Sequence, residues 1–306
     1  MYDVIVVGGG PAGLSAALVF GRQRRRVLVV DGGRVRNAPA DEMHMYLSRD
    51  GFPPSELLAL GRAELAAYPT VEVRAGSVVT ARGAKEDFAV ELADGTVERA
   101  RRLVLATGQV DEPYRIEGLP ERFGRGVFHC PFCHGWETTG KTLAVITREP
   151  AEAMLALYVA DRFSDDVVLC TDGPLDLADG VAKKLGERGV RVVSTPIARL
   201  TGEPGALEVH FADGEVLARE AVYHRAPTRQ HASLAAGLGC EILPDGTVRV
   251  DELQQTTVPG VAAAGDTAKL PAVPDAVTLV SLGAADGVRA AVWMEGDLFR
   301  SDLGEI

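Results

Sequence analysis

The sequence predicts an α/β chain of two units, each built on a mostly parallel sheet with helices on its faces. Three observations predict it. The chain opens as apolar strand, glycine turn, helix, apolar strand and acid. A second alternation of short apolar strands and helices runs through 142–211. A third apolar run, 261–266, ends on an acid, at the sheet edge where ligands bind in open α/β folds.

In chain order, 2–7 is β-branched and unbroken, as a buried parallel strand would be. Gly8-Gly9-Gly10-Pro11-Ala12-Gly13 then leads into a helix over 14–23, and 27–30 is a strand ending on Asp31. Gly8 permits the tight turn, Gly10 lets backbone approach a pyrophosphate, and Gly13 lets helix pack on strand. The helix N-terminus supplies amide donors to phosphates, and Asp31 stands where a carboxylate accepts from ribose hydroxyls. A glycine turn alone is a weak signal; with strand, helix, second strand and acid it predicts a dinucleotide site.

The polar stretch 32–54 is long for a compact domain, and such loops are often functional. Asn37 and His44 within it are candidates for cofactor or substrate contact, with a solvated surface role as the alternative. A helix is predicted over 56–67 with Ser55 as its N-cap. Strands are predicted at 71–79, 88–92 and 97–102, and 103–108 is a buried strand running into Gly108. Beyond 142, strands are expected at 142–146, 167–170, 190–193 and 207–211, with helices at 149–163 and 181–188. Where the first unit has glycines, this one reads Thr147-Arg148-Glu149-Pro150-Ala151-Glu152. No glycine admits a pyrophosphate, two carboxylates take the place of phosphate donors, and no arginine follows Cys170-Thr171-Asp172 to hold a 2′-phosphate. Nicotinamide dinucleotide binding is expected to be degenerate here. A strand and turn at 246–253 and a closing helix at 277–293 complete the chain.

Between the units lies Cys130-Pro131-Phe132-Cys133-His134-Gly135-Trp136, with two of the four cysteines in 306 residues. Paired sulfurs at this spacing close a strained disulfide, and thiols in such motifs ionise more readily than a free cysteine. Covalent haem attachment shares the pattern but belongs to exported apoproteins, and no basic n-region or export signal is visible. A zinc site needs a second ligand pair, whereas Cys170 and Cys240 are isolated and His129 and His134 lie too near the first pair. No metal is expected. Redox exchange between dithiol and disulfide is the chemistry that remains. Phe132 and Trp136 are expected to pack, and Glu137 either to orient a histidine or to be solvated. His134 is expected to titrate near neutrality and to take a thiol proton, with His129 the weaker candidate.

Composition limits the partners. A net charge of −11 argues against nucleic acid and anionic membrane. No apolar run approaches the roughly 20 residues of a membrane span, so the chain is read as cytoplasmic.

These motifs, in this order, resemble the low-molecular-weight thioredoxin reductase family of flavoproteins over essentially the whole chain. The resemblance implies two Rossmann-like (FAD/NAD-linked reductase) domains, the second inserted in the first. An FAD-binding domain is expected over 1–112 and 244–306, an inserted NAD(P)H-like domain over 113–243, and a homodimer as the assembly. FAD is the implied cofactor, held through Gly8, Gly10, Pro11, Ala12, Gly13, Asp31 and Gly32. Asn37, His44, Val79, Ala106, Thr107, Gly108, Gly265, Asp266 and Val277 are the further expected contacts. His134 replaces the aspartate usual after the second cysteine. Cys-Pro-Phe-Cys-His-Gly-Trp-Glu, with the Arg36-Asn37 and Arg49-Asp50-Gly51 loop, is similar to the dithiol oxidases of the gliotoxin and holomycin pathways. That similarity implies oxidation of a small or protein dithiol, with O2 as acceptor and H2O2 as product. Cys130 would be the sulfur attacked by substrate and Cys133 the flavin-proximal one. A disulfide reductase fed by NAD(P)H or ferredoxin is the alternative, and a non-catalytic flavin redox sensor a further one.

Overall fold

The computed structural model describes residues 1–304, and the chain divides into two compact units. Unit 1 comprises Met1–Ala38, Met45–Val110 and the chain from Thr228 onward; unit 2 comprises Pro39–His44 and Asp111–Pro227.

The first pass through unit 1 gives β1 (Tyr2–Val7), α1 (Pro11–Arg22), β2 (Val27–Asp31), α2 (Pro54–Leu65), β3 (Val71–Ala75), β4 (Val78–Ala84), β5 (Asp87–Leu92), β6 (Val97–Leu105) and β7 (Gln109–Asp111). Unit 2 follows with α3 (Leu119–Arg122), β8 (Val127–Phe128), α4 (Pro131–His134), β9 (Leu143–Ile146), α5 (Ala153–Arg162), β10 (Val167–Cys170), α6 (Asp179–Glu187), β11 (Arg191–Val193), β12 (Ile197–Glu203), β13 (Ala206–Phe211), β14 (Val216–Arg219) and β15 (Ala221–Tyr223). The chain returns to unit 1 as β16 (Thr228–Gln230), α7 (Leu234–Gly237), β17 (Val248–Arg249), β18 (Val261–Ala263), β19 (Ala268–Lys269) and α8 (Val280–Asp302).

In unit 1 the order β3-β2-β1-β6 is parallel, and β18 adds to β6 through Val261↔Leu103 and Ala263↔Leu105. The first half of β6 pairs antiparallel with β5 instead, so one strand serves two sheets' worth of neighbours. Strands β1, β2 and β18 and the second half of β6 are buried on both faces, which is why they read as continuous apolar runs. Val4 and Val6 pack with α1 and α8, while Ile5 and Val7 face Val90, Leu234 and Val250. Helices α1 and α8 cross closely because Gly287 carries no side chain; a Cβ there would lie 2.0 Å from the Ala12 carbonyl oxygen.

Unit 2 has the parallel order β11-β10-β9-β15-β8. One face packs on the antiparallel β12-β13-β14 meander through Ile146, Val168, Leu200 and Val209, the other on α5 and α6 through Val145, Leu169, Ala156 and Leu185. This too is a Rossmann-like α/β layer arrangement.

Several elements differ from the sequence expectation for local reasons. The strand expected over 71–79 is two strands, because the chain bends at Gly76, where φ is +158°. Ser55 does not cap α2; Pro53 is the N-cap and Pro54 takes the first helical position, where its missing N–H costs nothing. Helix α5 starts only at Ala153, after a 3₁₀ turn over Pro150–Glu152. Helix α8 runs nine residues past 293, since its last turns are fastened by arginines of β6 and of the α1–β2 turn.

Candidate redox site and cofactor cradle

The dithiol loop is local to unit 2. Cys130 is the N-cap of α4, and the Cys133 N–H donates to its Sγ at 3.2 Å. The two sulfurs are 2.6 Å apart, adjacent as thiol–disulfide exchange within one pair requires. Both cysteines are part-exposed, whereas Cys170 and Cys240 are buried with their thiols pushed up by burial, Cys170 to about 12. Thiolate chemistry is therefore confined to the pair in the loop.

Three contacts hold the loop from behind. The Tyr223 hydroxyl on β15 donates to the His134 carbonyl at 3.1 Å and lies 2.8 Å from Thr138 Oγ1. Thr138 Oγ1 in turn donates to the Gly135 carbonyl at 3.0 Å. Gly135 is required because the Phe163 ring fills the space of a side chain; a Cβ would lie 2.4 Å from it.

His134 differs from expectation. It is stacked on Phe128 with centroids 4.2 Å apart and planes 14° from parallel. Burial, then the nearby His44, pushes its pKa down to about 4, so it is a neutral imidazole at neutrality rather than a group titrating there. His129 precedes the pair and is part-exposed. Phe132 and Trp136 are 63% and 82% exposed, so they rim the loop rather than pack beneath it; Phe132 alone has a ring neighbour, Tyr158 at 5.7 Å.

The C-terminal edge of the unit 2 sheet, the ligand-binding edge in such folds, is filled by its own side chains. Arg148, just after β9, pairs through Nε with Asp172 Oδ2 at 2.8 Å, just after β10. Its guanidinium lies 4.5 Å over the Tyr114 ring, and its N–H donates to the Tyr114 hydroxyl at 3.1 Å. Asp172 Oδ1 accepts from the Ile197 N–H at 2.6 Å. Tyr114 is pinned by buried His224, whose Nε2 accepts the Tyr114 N–H at 3.2 Å, so the proton on Nδ1 goes to the Ile146 carbonyl at 3.1 Å. Glu152 lies 3.6 Å from Arg225.

The cradle in unit 1 is made of backbone. At Gly8, φ is +116° and a Cβ would lie 2.1 Å from the Ala106 carbonyl oxygen; at Gly13 it would lie 1.9 Å from the Gly8 carbonyl oxygen. Gly10 is different. A Cβ there would meet nothing nearer than Val35 at 4.0 Å, so the protein itself does not demand glycine, and the space is left for a ligand. Gly9, to which the spacing rule gives no role, lets Asp31 fold in; a Cβ would lie 2.3 Å from the carboxylate. Asp31 Oδ1 accepts from the Gly33 N–H at 2.8 Å, and Oδ2 from Arg62 at 2.8 Å. A carboxylate has lone pairs to spare for ribose hydroxyls beyond these two.

Pro11 and Ala12 open α1, with Gly10 as an N-cap that offers no side chain, leaving the first amides free of a capping side chain. Gly32 follows Asp31 directly. Ala106, Thr107 and Gly108 follow β6, and Thr107 Oγ1 lies 3.2 Å from Thr267 Oγ1 in the turn Gly265–Thr267. Asp266 pairs with Arg36 at 3.1 Å, and Thr267 Oγ1 donates to Gln230 at 2.6 Å. Arg36, Arg62 and Gln230 reach Asp266, Asp31 and Thr267 only through the fold; Arg62 and Gln230 carry no spacing signal in the sequence. Asn37 is half-buried, and Val79 and Val277 are exposed. His44 belongs to unit 2, beside His134. An open Gly10, a bare helix N-terminus and an oriented acid together fit a dinucleotide such as FAD. Among the described residues no group of three or more His, Cys, Asp or Glu is placed to hold a metal ion, and no helix is long and apolar enough to cross a membrane.

A family model described as pyridine nucleotide-disulphide oxidoreductase matches residues 2–283. Thioredoxin reductase tcpT of Claviceps purpurea is 34% identical over 291 residues, covering 90% of each chain. Thioredoxin reductase sirT of Leptosphaeria maculans is 32% identical over 285 residues, covering 88% of this chain and 87% of that one. The crystal structure of HlmI superposes with a TM-score of 0.91 at 38% identity, covering 99% of this chain and 94% of that chain. An oxidoreductase from Agrobacterium tumefaciens superposes at 0.89 with 36% identity, covering 97% and 98%.

Proposed function

This chain belongs to the pyridine nucleotide-disulphide oxidoreductase family, as a thioredoxin reductase-like flavoprotein that binds FAD, and from that premise we propose that it is a dithiol oxidase. In this proposal it oxidises a dithiol to a disulfide, with O2 as acceptor and H2O2 as product. The observation that carries it is the edge of the unit 2 sheet. Tyr114, Arg148 and Asp172 occupy one another where a nicotinamide dinucleotide would be read, which favours a chain that takes its electrons from thiols.

A substrate thiolate attacks Cys130 Sγ, and the Cys130–Cys133 bond breaks with its electron pair passing to Cys133. The second substrate thiolate attacks the first substrate sulfur and expels Cys130. That departure is eased by the Cys133 N–H, which already donates to Cys130 Sγ. The substrate leaves as a disulfide, and the cysteine pair holds two more electrons. Gly8, Gly10, Gly13, Asp31, Thr107 and Asp266 would hold FAD, which when bound supplies a two-electron acceptor that dioxygen reoxidises. The assembly proposed is a homodimer in the cytoplasm.

Purified protein is expected to be yellow, to consume oxygen with dithiothreitol, and to stay oxidised when mixed anaerobically with NADPH. Rapid bleaching by micromolar NADPH would establish instead a disulfide reductase, the activity that the names of tcpT and sirT state for those proteins. Cys130→Ser is expected to abolish dithiol turnover and to keep its flavin; full activity in that variant would take the sulfurs off the electron path.

A further inference from the structure

The turn Gly265–Thr267 follows β18 within unit 1 and lies against the first turn of α1; a Cβ on Gly265 would sit 3.0 Å from the Ala12 Cβ. Two residues of the turn are fastened by their side chains, Asp266 to Arg36 and Thr267 to Gln230. Gly265 has no side chain to fasten. Its φ is +74°, a region that glycine enters freely, so the direction of the backbone ahead of Asp266 depends on hydrogen bonds. The Gly265 N–H goes to the carboxylate of Asp286, in the second turn of α8. That carboxylate is itself oriented. Gln254 Nε2 donates to Asp286 Oδ1 at 3.0 Å, and Arg289 lies 3.9 Å from the same oxygen. Gln254 is 4% exposed and holds a left-handed backbone, with φ +63°. Its carbonyl accepts the N–H of Ala263, the last residue of β18, at 3.1 Å. Its buried Oε1 has no hydrogen-bond partner among the described residues.

We propose that Asp286, oriented by Gln254, is a positioning residue for FAD: by accepting the Gly265 N–H it sets the turn from which Asp266 would hold the cofactor. The proposal is independent of the dithiol chemistry and needs only the bound flavin. By charge alone Asp286 works against it. A second carboxylate beside Asp266 repels an anionic pyrophosphate. Burial pushes the Asp286 pKa up, Arg289 and the Gly265 N–H oppose that, and Asp266 adds to it. What the side chain contributes is an acceptor at a fixed place. The place is fixed because Gly287, the next residue, lies against the Ala12 carbonyl. Helix α1, the turn and α8 therefore meet at one point, and Asp286 ties the turn to it. Charge and acceptor predict opposite results for asparagine in this position. Asparagine removes the charge and keeps an oxygen for the Gly265 N–H, while its Nδ2 reaches Gln254 Oε1 once the Gln254 amide turns over.

The test dilutes the yellow holoprotein to nanomolar concentration and reads the fluorescence of released FAD at equilibrium. Asp286→Ala is expected to raise the FAD dissociation constant about tenfold, the equivalent of one lost hydrogen bond. Asp286→Asn is expected to stay within about twofold of the parent or to bind more tightly. Gln254→Met leaves Asp286 without its orienting amide and is expected to weaken binding about threefold, which decides the matter even where the alanine variant does not fold. Hydrogen–deuterium exchange of the holoprotein at saturating FAD, read by mass spectrometry, separates positioning from general support. Asp286→Ala is expected to exchange faster over 261–270 and like the parent over 2–31, with Asp286→Asn like the parent in both. Unchanged affinity in Asp286→Ala or in Gln254→Met overturns the proposal. Binding as weak in Asp286→Asn as in Asp286→Ala overturns it too, by making charge the cause. Exchange raised equally over 2–31 does the same, by making Asp286 a support of the whole unit.

Discussion

Gly13 and Gly10 do different jobs in the first turn of the chain, and substitution separates them. Gly13→Ala forces a Cβ into the Gly8 carbonyl and is expected to lower the urea midpoint of unfolding, with far-UV circular dichroism reporting loss of α1 packing. Gly10→Ala meets no such obstacle. It is expected to fold normally and to emerge colourless, because the methyl group occupies the space left for a pyrophosphate. A yellow Gly10→Ala protein with normal flavin content would show that the space serves something else. His134 adds a pH dependence. Its pKa is depressed to about 4 in the fold, while an unfolded histidine titrates near 6.5, so the unfolded chain binds more protons between those values. Stability from this residue is intact above about pH 6.5 and is lost as pH falls toward 4, a loss of up to about 3 kcal/mol. His134→Phe is expected to remove that slope from urea unfolding midpoints measured between about pH 7 and pH 5, whatever it does to activity. The residue chemistry was legible where it follows from spacing, as with Cys130 and Cys133. It was not legible for His134, because adjacency in sequence says nothing of Phe128 lying over its ring.

Helix α8 carries the element-scale logic. Its inner face is small, with Gly283, Gly287, Ala290 and Ala291 allowing close approach to α1. Its end is held by charge. Arg102 of β6 is fully buried and donates to Asp297 at 2.6 Å, Glu86 at 2.7 Å and Ser301 at 3.0 Å. Arg102→Ala removes a buried guanidinium and its hydrogen bonds, although Asp297 keeps Lys85 and Glu86 keeps Arg101, and is expected to cost about 2 kcal/mol, read as a lower urea midpoint with an unchanged slope. The outer face exposes Val288, Val292, Trp293, Phe299 and Leu303, an apolar stripe that suits a second copy of this chain in the proposed homodimer. Trp293→Glu combined with Phe299→Glu is expected to yield a monomer by sedimentation velocity with its flavin retained. A dimer unchanged by both would move the interface elsewhere. Periodicity found this helix but placed its end at 293, since an apolar pattern cannot register an ion network that fastens the last turns. Ser55 was misread for a related reason: a good capping residue stood one position behind two prolines that already start the helix.

At the scale of the whole molecule, both α/β layers were legible as alternating strands and helices, because buried parallel strands leave unbroken apolar runs. Strand β12 and the short β19 left no such trace. They are narrow or half-exposed, and their partners fix them. The pairing of β18 with β6, and of α8 with α1, sets a further condition on how the protein is made. Strands β1 and β6 and helix α1 cannot complete their hydrophobic interior until β18 and α8 have been synthesised, whereas unit 2 has all its long segments as soon as 227 clears the ribosome. Nascent chains arrested once 227 has cleared the ribosome are therefore expected to resist protease over 111–227 and to be cut readily within 1–38, so that these residues, made before unit 2, are protected after it and stay longer in need of a chaperone.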